Sequence, residues 1–313
     1  MARPVIIDTD AGVDDALALI IALRSPEIAV KAITTVAGNV EVQKCTRNVL
    51  RILNLLNPKD RPVVAQGARK PLKAPLLIAP EVHGPDGLGG LSSKLPAVKV
   101  RNVGKAVDTI LQLCRQYGKK LTIVTIGPMT NLALALKADR KTLLRAGRII
   151  SMGGAFHVPG NTGPVAEFNY YVDPDAAHAV LTSGIPVTVV PLDVTHQVVV
   201  MRSEMEYRAR RRASNVARSV LDLTRDYMLY HRDTQGFNGG YLHDPLAVGI
   251  AIDPMFVRTR RVHVDVETTG LFTRGMTVAD FRLRSSGTGS TVDVALKVER
   301  DRFLSLFHDR LWM

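Results

Sequence analysis

The chain has 313 residues and almost no cysteine: Cys45 and Cys114 are the only two. Two widely spaced thiols make neither a disulfide framework nor a zinc pattern. Each falls in a stretch with amphipathic-helix spacing, so both are expected as plain buried thiols. Aromatic residues are scarce, at 5%, with one tryptophan, Trp312. That scarcity bears on the formal charge of +12. Its densest run, Arg208, Arg210, Arg211 and Arg212, has no interleaved aromatics, whereas single-stranded nucleic acid is held on stacking platforms. The run reads as a solvated helix face, and no nucleic-acid partner is expected. Long apolar runs are missing too. The longest, Ala16 to Leu23, is far short of the ~20 residues a bilayer requires. The opening Met1-Ala2-Arg3-Pro4 leads into a short stretch ending in Asp8, unlike a secretory signal. A cytoplasmic protein with no membrane partner is the expectation.

What is present is ordinary globular material, 46% hydrophobic and 22% charged, in a chain long enough to bury about three quarters of its unfolded surface. Short β-branched runs alternate with helical patterns. Strands are predicted at Val5-Ile6-Ile7, Val30 to Val36, Pro62 to Val64, Leu121 to Ile126, Arg148 to Met152 and Val187 to Val190. Helices are predicted at Asp14 to Arg24, Glu41 to Leu56, Lys105 to Tyr117, Asn131 to Ala138 and Asp175 to Ser183. This rhythm predicts an α/β fold with an open, mostly parallel sheet covered on both faces. A charged helical stretch runs from Ser203 to Tyr230, followed by a Gly-rich turn at Gly236 to Gly240 and a helix starting near His243. Strand patterns return at Arg261 to Val266 and Thr291 to Val298, where antiparallel pairing fits. No repeat or linker divides the chain, so residues 1–313 read as a single domain with a helical excursion at about 203–235.

The most informative segment is Asp8-Thr9-Asp10-Ala11-Gly12-Val13-Asp14-Asp15, four carboxylates directly after the first strand. Ligands of open α/β sheets bind at that end of the strands. Clustered carboxylates repel unless a cation sits among them, and oxygen donors suit calcium or magnesium. Gly12 is expected to give the tight turn that brings Asp10 and Asp15 to one point. Capping of the next helix accounts for Asp14 or Asp15 but not for all four. A strand ending in D-x-D also occurs in haloacid-dehalogenase-type phosphatases, but the lysine and later acidic pair they need are not evident. His243-Asp244-Pro245 opens an apolar helix; His243 is a candidate proton donor, and capping is the plainer reading of the pair taken alone. In the loop Gly160 to Asn169, Asn161, Glu167 and Asn169 offer donors and acceptors suited to several hydroxyl groups, or mark a polar surface turn. Asn39, Gly127 to Asn131 and Gly153-Gly154 end strands on the same rim. His83 to Gly90 is a Gly-rich loop able to close over a ligand.

Together these residues resemble the inosine-uridine preferring nucleoside hydrolase family. The resemblance rests on Asp8-Thr9-Asp10-x-Gly12-x-Asp14-Asp15, Thr35 to Asn39, Gly127 to Leu132, Met152 to Gly154, Ala166 to Asn169, Asp173-Pro174, His243 to Pro245 and Gly275 to Asp280, nearly the whole chain. It implies hydrolysis of the N-glycosidic bond of ribonucleosides in a Rossmann-like nucleoside hydrolase fold, with Ca2+ at the carboxyl ends of the strands. Asp10, Asp15, Asp244 and the Ile126 carbonyl would be its ligands, with Asp10 also the base for the attacking water. Asp14, Asn169 and Asp244 would hold the ribose 2′- and 3′-hydroxyls, and Asn161 and Glu167 the 5′-hydroxyl. Asn39 and Met152 would line the ribose site, His83 would belong to a mobile loop near the base, and His243 would be the acid. Keeping His243 resembles members that accept pyrimidine or both pyrimidine and purine nucleosides, unlike those with a tryptophan beside the base. The base pocket is expected to draw on Tyr227, Tyr230, His231, Gln235, Phe237 and Asn238, where the match is poor. A homodimer or homotetramer is implied. A metal-dependent phosphatase and a silent nucleoside-binding protein are the competing readings.

Overall fold

Val5, Ile6 and Ile7 are β-branched and entirely apolar, a run that suits a strand buried on both faces. In the computed structural model, which describes residues 2–100, 103–212, 214–282 and 291–313, they lie inside the sheet at under 2% exposure. The first part of the chain runs β1 (Arg3–Thr9), α1 (Val13–Leu23), β2 (Ile28–Thr35), α2 (Val42–Leu56), β3 (Val63–Gln66), α3 (Pro80–His83) and β4 (Gly104–Lys105). It continues through α4 (Ala106–Tyr117), β5 (Thr122–Thr125), α5 (Thr130–Ala138), α6 (Arg140–Leu143), β6 (Arg148–Met152), α7 (Phe168–Val172), α8 (Pro174–Leu181) and β7 (Val187–Val190). Then follow α9 (Leu192–Thr195), β8 (Val199–Met201), α10 (Arg202–Arg212), α11 (Asn215–Gln235), β9 (Gly239–Tyr241) and α12 (His243–Ile252). The last elements are β10 (Val257–Val266), β11 (Thr277–Ala279), β12 (Thr291–Val298) and α13 (Arg300–Leu311).

Ten strands form one sheet in the order β11-β10-β12-β7-β6-β5-β1-β2-β3-β4. From β12 to β4 every neighbour pair is parallel, and β10 pairs antiparallel with both β12 and β11. The mostly parallel sheet is therefore as predicted, with antiparallel pairing at the tail. Strand alternation divides the interior. Val5 and Ile7 join a core with α1 and α12. Ile6 joins the other with Ile123, Ile149 and side chains of α4, α5 and α8. Cys45 and Cys114 are free and buried, on α2 and α4 as expected.

The order places the site. From β1 the chain winds outward through β2, β3 and β4, then returns to β5 on the other side of β1 and winds away through β6 and β7. The loops after β1 and β5 diverge there, leaving a crevice at their carboxyl ends.

Several boundaries differ from the sequence reading. The helical stretch at 203–230 is two helices, because the Ser214 hydroxyl accepts the Ala217 N–H at 3.1 Å and starts α11 afresh. The Gly-rich segment at 236–240 is a turn only at its beginning: Gly239 to Tyr241 pair antiparallel with Val199 to Met201. Glycine weakens strand interiors, but a Cβ on Gly240 would stand 2.7 Å from the Tyr227 ring, so close packing selects it. The closing helix α13 was not among the predicted elements. Its buried Phe303, Phe307 and Leu311 fall four apart on one face, and the charges between them obscure that stripe. No described helix is long and apolar enough to cross a membrane.

Candidate active site

Two helices begin at the crevice, and each opens with acid. α1 carries Asp14 and Asp15 in its first turn, α12 carries Asp244 in its own, and the two helices pack together. A helix N-terminus favours negative charge by about 0.3–1 kcal/mol, which offsets part of the cost of burial. Carboxylate oxygens of Asp14, Asp15 and Asp244 lie within 4.8 Å of one another, all buried. Asp10, at the end of β1, adjoins Asp15. Burial raises the carboxyls of Asp10, Asp14, Asp15 and Asp244 above the ordinary range, and the charges of neighbouring carboxylates add to the rise at Asp10, Asp14 and Asp244.

Local hydrogen bonds aim these groups. Asp15 accepts from the Thr9 hydroxyl, from Gly12 N at 2.8 Å and from Asn39 Nδ2 at 3.0 Å. Asp10 Oδ2 accepts Asn39 N–H at 2.7 Å, while its Oδ1 is buried without a hydrogen-bond partner. The tight turn expected of Gly12 is made instead by Ala11, at φ 44°. Gly12 has φ −81°, open to any residue; glycine is needed because a Cβ would stand 2.5 Å from Asn39 Nδ2 and 2.8 Å from His83 Nδ1. Asp8, the fourth acid of the segment, does not join the cluster. Two residues before Asp10, it accepts from the Thr34 hydroxyl and from Asn131 Nδ2 at 2.8 Å, and burial pushes its carboxyl up to about 7.

Above the carboxylates lies a cavity of about 380 Å³, in the range of small-molecule sites. Asp14, Asn39, Ile126, Met152, Asn169 and Asp244 line its floor. Asn169 Nδ2 donates to the Ile126 and Met152 carbonyls, 3.3 Å each, so backbone oxygens from the ends of β5 and β6 meet there. Asn161 and Glu167 line one side. The Glu167 carboxylate accepts N–H groups of Asn169, Tyr170 and Gly154 at 2.8–3.1 Å. Its burial outweighs these bonds and raises its carboxyl to about 7. The tail motif reaches the same wall, where Thr277 Oγ1 bonds both the carbonyl and the N–H of Ala155.

The other end is ringed by imidazoles and phenols. His83, His231, His243, Tyr227, Tyr230 and Gln235 line it. His83 is buried at the end of α3, its Nδ1 accepts Val13 N–H at 3.1 Å, and its ring stacks on Tyr227 with centroids 5.9 Å apart. The His83–Gly90 loop folds on Asp86, whose carboxylate accepts from Leu88, Gly90 and Ser92. His243 Nδ1 lies 2.8 Å from Thr195 Oγ1. Burial keeps these rings neutral: His83 is pushed down to about 3, and His196, His231 and His243 are lowered too. Phe237 and Asn238 stand outside the cavity lining. Phe237 packs on His231 and Tyr241, 5.6 and 5.0 Å between centroids, and the Asn238 carbonyl accepts Arg202 N–H at 3.0 Å. Among the lining residues that escaped the sequence reading are His196 and Tyr241. Both lie beside residues it used: His196 follows β7 and α9 on the rim the site uses, and Tyr241 ends the strand just before His243.

The family model for inosine-uridine preferring nucleoside hydrolases matches residues 5–305. The chain belongs to this family. It is 44% identical over 312 residues to the pyrimidine-specific ribonucleoside hydrolase RihA of Klebsiella pneumoniae subsp. pneumoniae, covering 99% of each chain. Among solved structures it is similar to the plant nucleoside hydrolase PpNRh1, at 36% identity and TM-score 0.92, covering 100% of this chain and 99% of the other. It is also similar to a purine-preferring ribonucleoside hydrolase from Gardnerella vaginalis, at 35% identity and TM-score 0.91, over 99% and 98% of the two chains. The expected family and fold therefore hold, and the protein is a ribonucleoside hydrolase. Its single tryptophan is not among the residues lining the cavity: Trp312 is buried at the end of α13, its Nε1–H donating to His308 Nδ1 at 3.1 Å.

Proposed function

We propose that this hydrolase cleaves pyrimidine nucleosides, or pyrimidine and purine nucleosides both, with Ca2+ held by Asp10, Asp15, Asp244 and the Ile126 carbonyl. The observation that carries the reading is the gathering of three buried carboxylates within 4.8 Å, with a partnerless Asp10 oxygen adjoining them. Buried polar atoms are nearly always hydrogen-bonded, so a carboxylate oxygen without a donor, among acids that repel one another, fits a hard cation. Calcium bound there supplies the positive charge that makes a water molecule easier to deprotonate.

The protein's own groups do the rest. Asp10 takes the proton of the attacking water. The water oxygen bonds to C1′ as the C1′–N bond breaks, and its electron pair leaves with the base. The sugar becomes oxocarbenium-like, and the surrounding carboxylates stabilise that charge. Asp14, Asn169 and Asp244 hold the 2′- and 3′-hydroxyls, Asn161 and Glu167 the 5′-hydroxyl, and Asn39 and Met152 enclose the ring. His243 assists the departing base, with His83, Tyr227, His231 and Gln235 around it. Neutral imidazoles and phenols at that end offer hydrogen bonds to the polar edge of a small base, and the identity to the pyrimidine-specific relative supports the preference.

The test is release of free ribose from uridine, cytidine, inosine and adenosine with calcium present. Turnover of uridine or cytidine at least as fast as of inosine is expected. Exclusive cleavage of purine nucleosides would overturn the preference, and binding without release of base would overturn the catalytic reading. An assembly of two or four copies belongs to the same proposal; sedimentation showing only the 34.2 kDa chain would remove it.

A further inference from the structure

His243 has one ring nitrogen engaged by the protein, and the engaging group fixes where the ring hydrogen sits. Thr195, the last residue of α9, is fully buried. Its hydroxyl has a single hydrogen-bond partner among the described residues, His243 Nδ1 at 2.8 Å. The nearby Pro191 carbonyl takes the backbone N–H groups of Val194 and Thr195 instead, 3.1 Å each. A buried hydroxyl hydrogen needs an acceptor. The hydroxyl therefore donates, Nδ1 accepts, and the hydrogen of the neutral ring lies on Nε2. The ring lines the cavity between His196 and Tyr241, at 5.5 and 5.3 Å between centroids.

We propose that Thr195 is a positioning residue that holds His243 in the tautomer with Nε2–H as a hydrogen-bond donor to the leaving base. The inference rests on the nucleoside-cleaving reading and deepens it. As the C1′–N bond breaks, the electron pair passes to the base, and a pre-aimed N–H stabilises that charge without reorganising. With valine at 195, Nδ1 faces a methyl group. The ring is then free to take the other tautomer, which presents a lone pair to the base instead of a hydrogen.

The test compares uridine and inosine with 4-nitrophenyl β-riboside, whose leaving group is stable without a donor. For Thr195→Val, kcat on both nucleosides should fall about 10- to 100-fold with KM little changed, and the nitrophenyl substrate should lose far less. Thr195→Ser keeps the hydroxyl and should recover most of the nucleoside rate. Equal loss on all three substrates, or no loss on any, would overturn the proposal. Wild-type protein that cleaves none of them would remove the nucleoside reading itself. Long-range 1H–15N spectra of histidine-labelled wild-type protein, with His243 assigned through His243→Gln, decide the tautomer independently. Bare Nδ1 and protonated Nε2 are expected, and the reverse would overturn it.

Discussion

Asp10 Oδ1 is buried with nothing to bond, and it belongs to the carboxylate that the proposed mechanism uses as its base. Its partner oxygen is fixed by Asn39 N–H, so the carboxylate cannot swing to satisfy both oxygens elsewhere. Replacing it should separate chemistry from stability. In Asp10→Ala, turnover should drop at least about a hundredfold, the lower end for a lost acid–base group. The calcium-free protein should melt no lower than wild type, because a carboxyl raised by burial, and further by the charge of Asp15, is gone. Ribose release and a melting curve check the two halves. A variant that keeps its rate, or that loses rate only through unfolding, would contradict the assigned role. Gly12 shows how residue-scale reading of a sequence can be right in identity and wrong in cause. The conformational demand falls on Ala11, and the demand on Gly12 is for space beside Asn39 and His83, which becomes visible only once β2 and α3 are packed in place.

At the scale of elements, strands buried on both faces were the most legible, since an apolar β-branched run has few other uses. The acids at the starts of α1 and α12 were legible as a spacing, yet their convergence depends on two helices 230 residues apart in sequence meeting at one end. Only the family resemblance reached across that distance. Less was legible where packing overrode local pattern. Gly239 to Tyr241 forms a strand although glycine disfavours one, and that strand carries Tyr241 to the cavity, while His196 reaches it from the end of α9. The break between α10 and α11 was hidden because arginine and serine continue a helical pattern, while the decisive event is one side-chain bond, Ser214 Oγ to Ala217 N–H. Its worth is testable. Ser214→Ala should cost about 1 kcal/mol, a fall of about 1–2 °C in melting temperature for a chain of this length, with kcat unchanged because the cap does not line the cavity. An unchanged melting temperature would mean that packing of α11, not its cap, sets the boundary.

At the scale of the whole molecule, the buried acids couple stability, protons and the ion. Without a cation, burial and repulsion raise the folded-state carboxyls above the unfolded value of about 3.9, with Asp14 pushed up to about 8. The folded chain then holds more protons than the unfolded one between those limits, so its stability falls as pH rises through that window. Calcium acts in the opposite sense. It binds the deprotonated carboxylates, so protons compete with it and its affinity rises across the same interval. Saturation at about a hundred times the dissociation constant contributes about 2.7 kcal/mol. In chelator, the melting temperature should therefore decline from pH 5 to pH 8 and ribose release should cease. With calcium in excess that decline should flatten or reverse, so that the calcium-induced rise is several degrees at pH 8 and smallest at pH 5. Asp244→Asn, which removes one of the repelling charges, should shrink both the decline in chelator and the rise with calcium. A calcium shift of equal size at every pH would mean that the ion binds away from these carboxyls, and the catalytic reading built on them would fall with it.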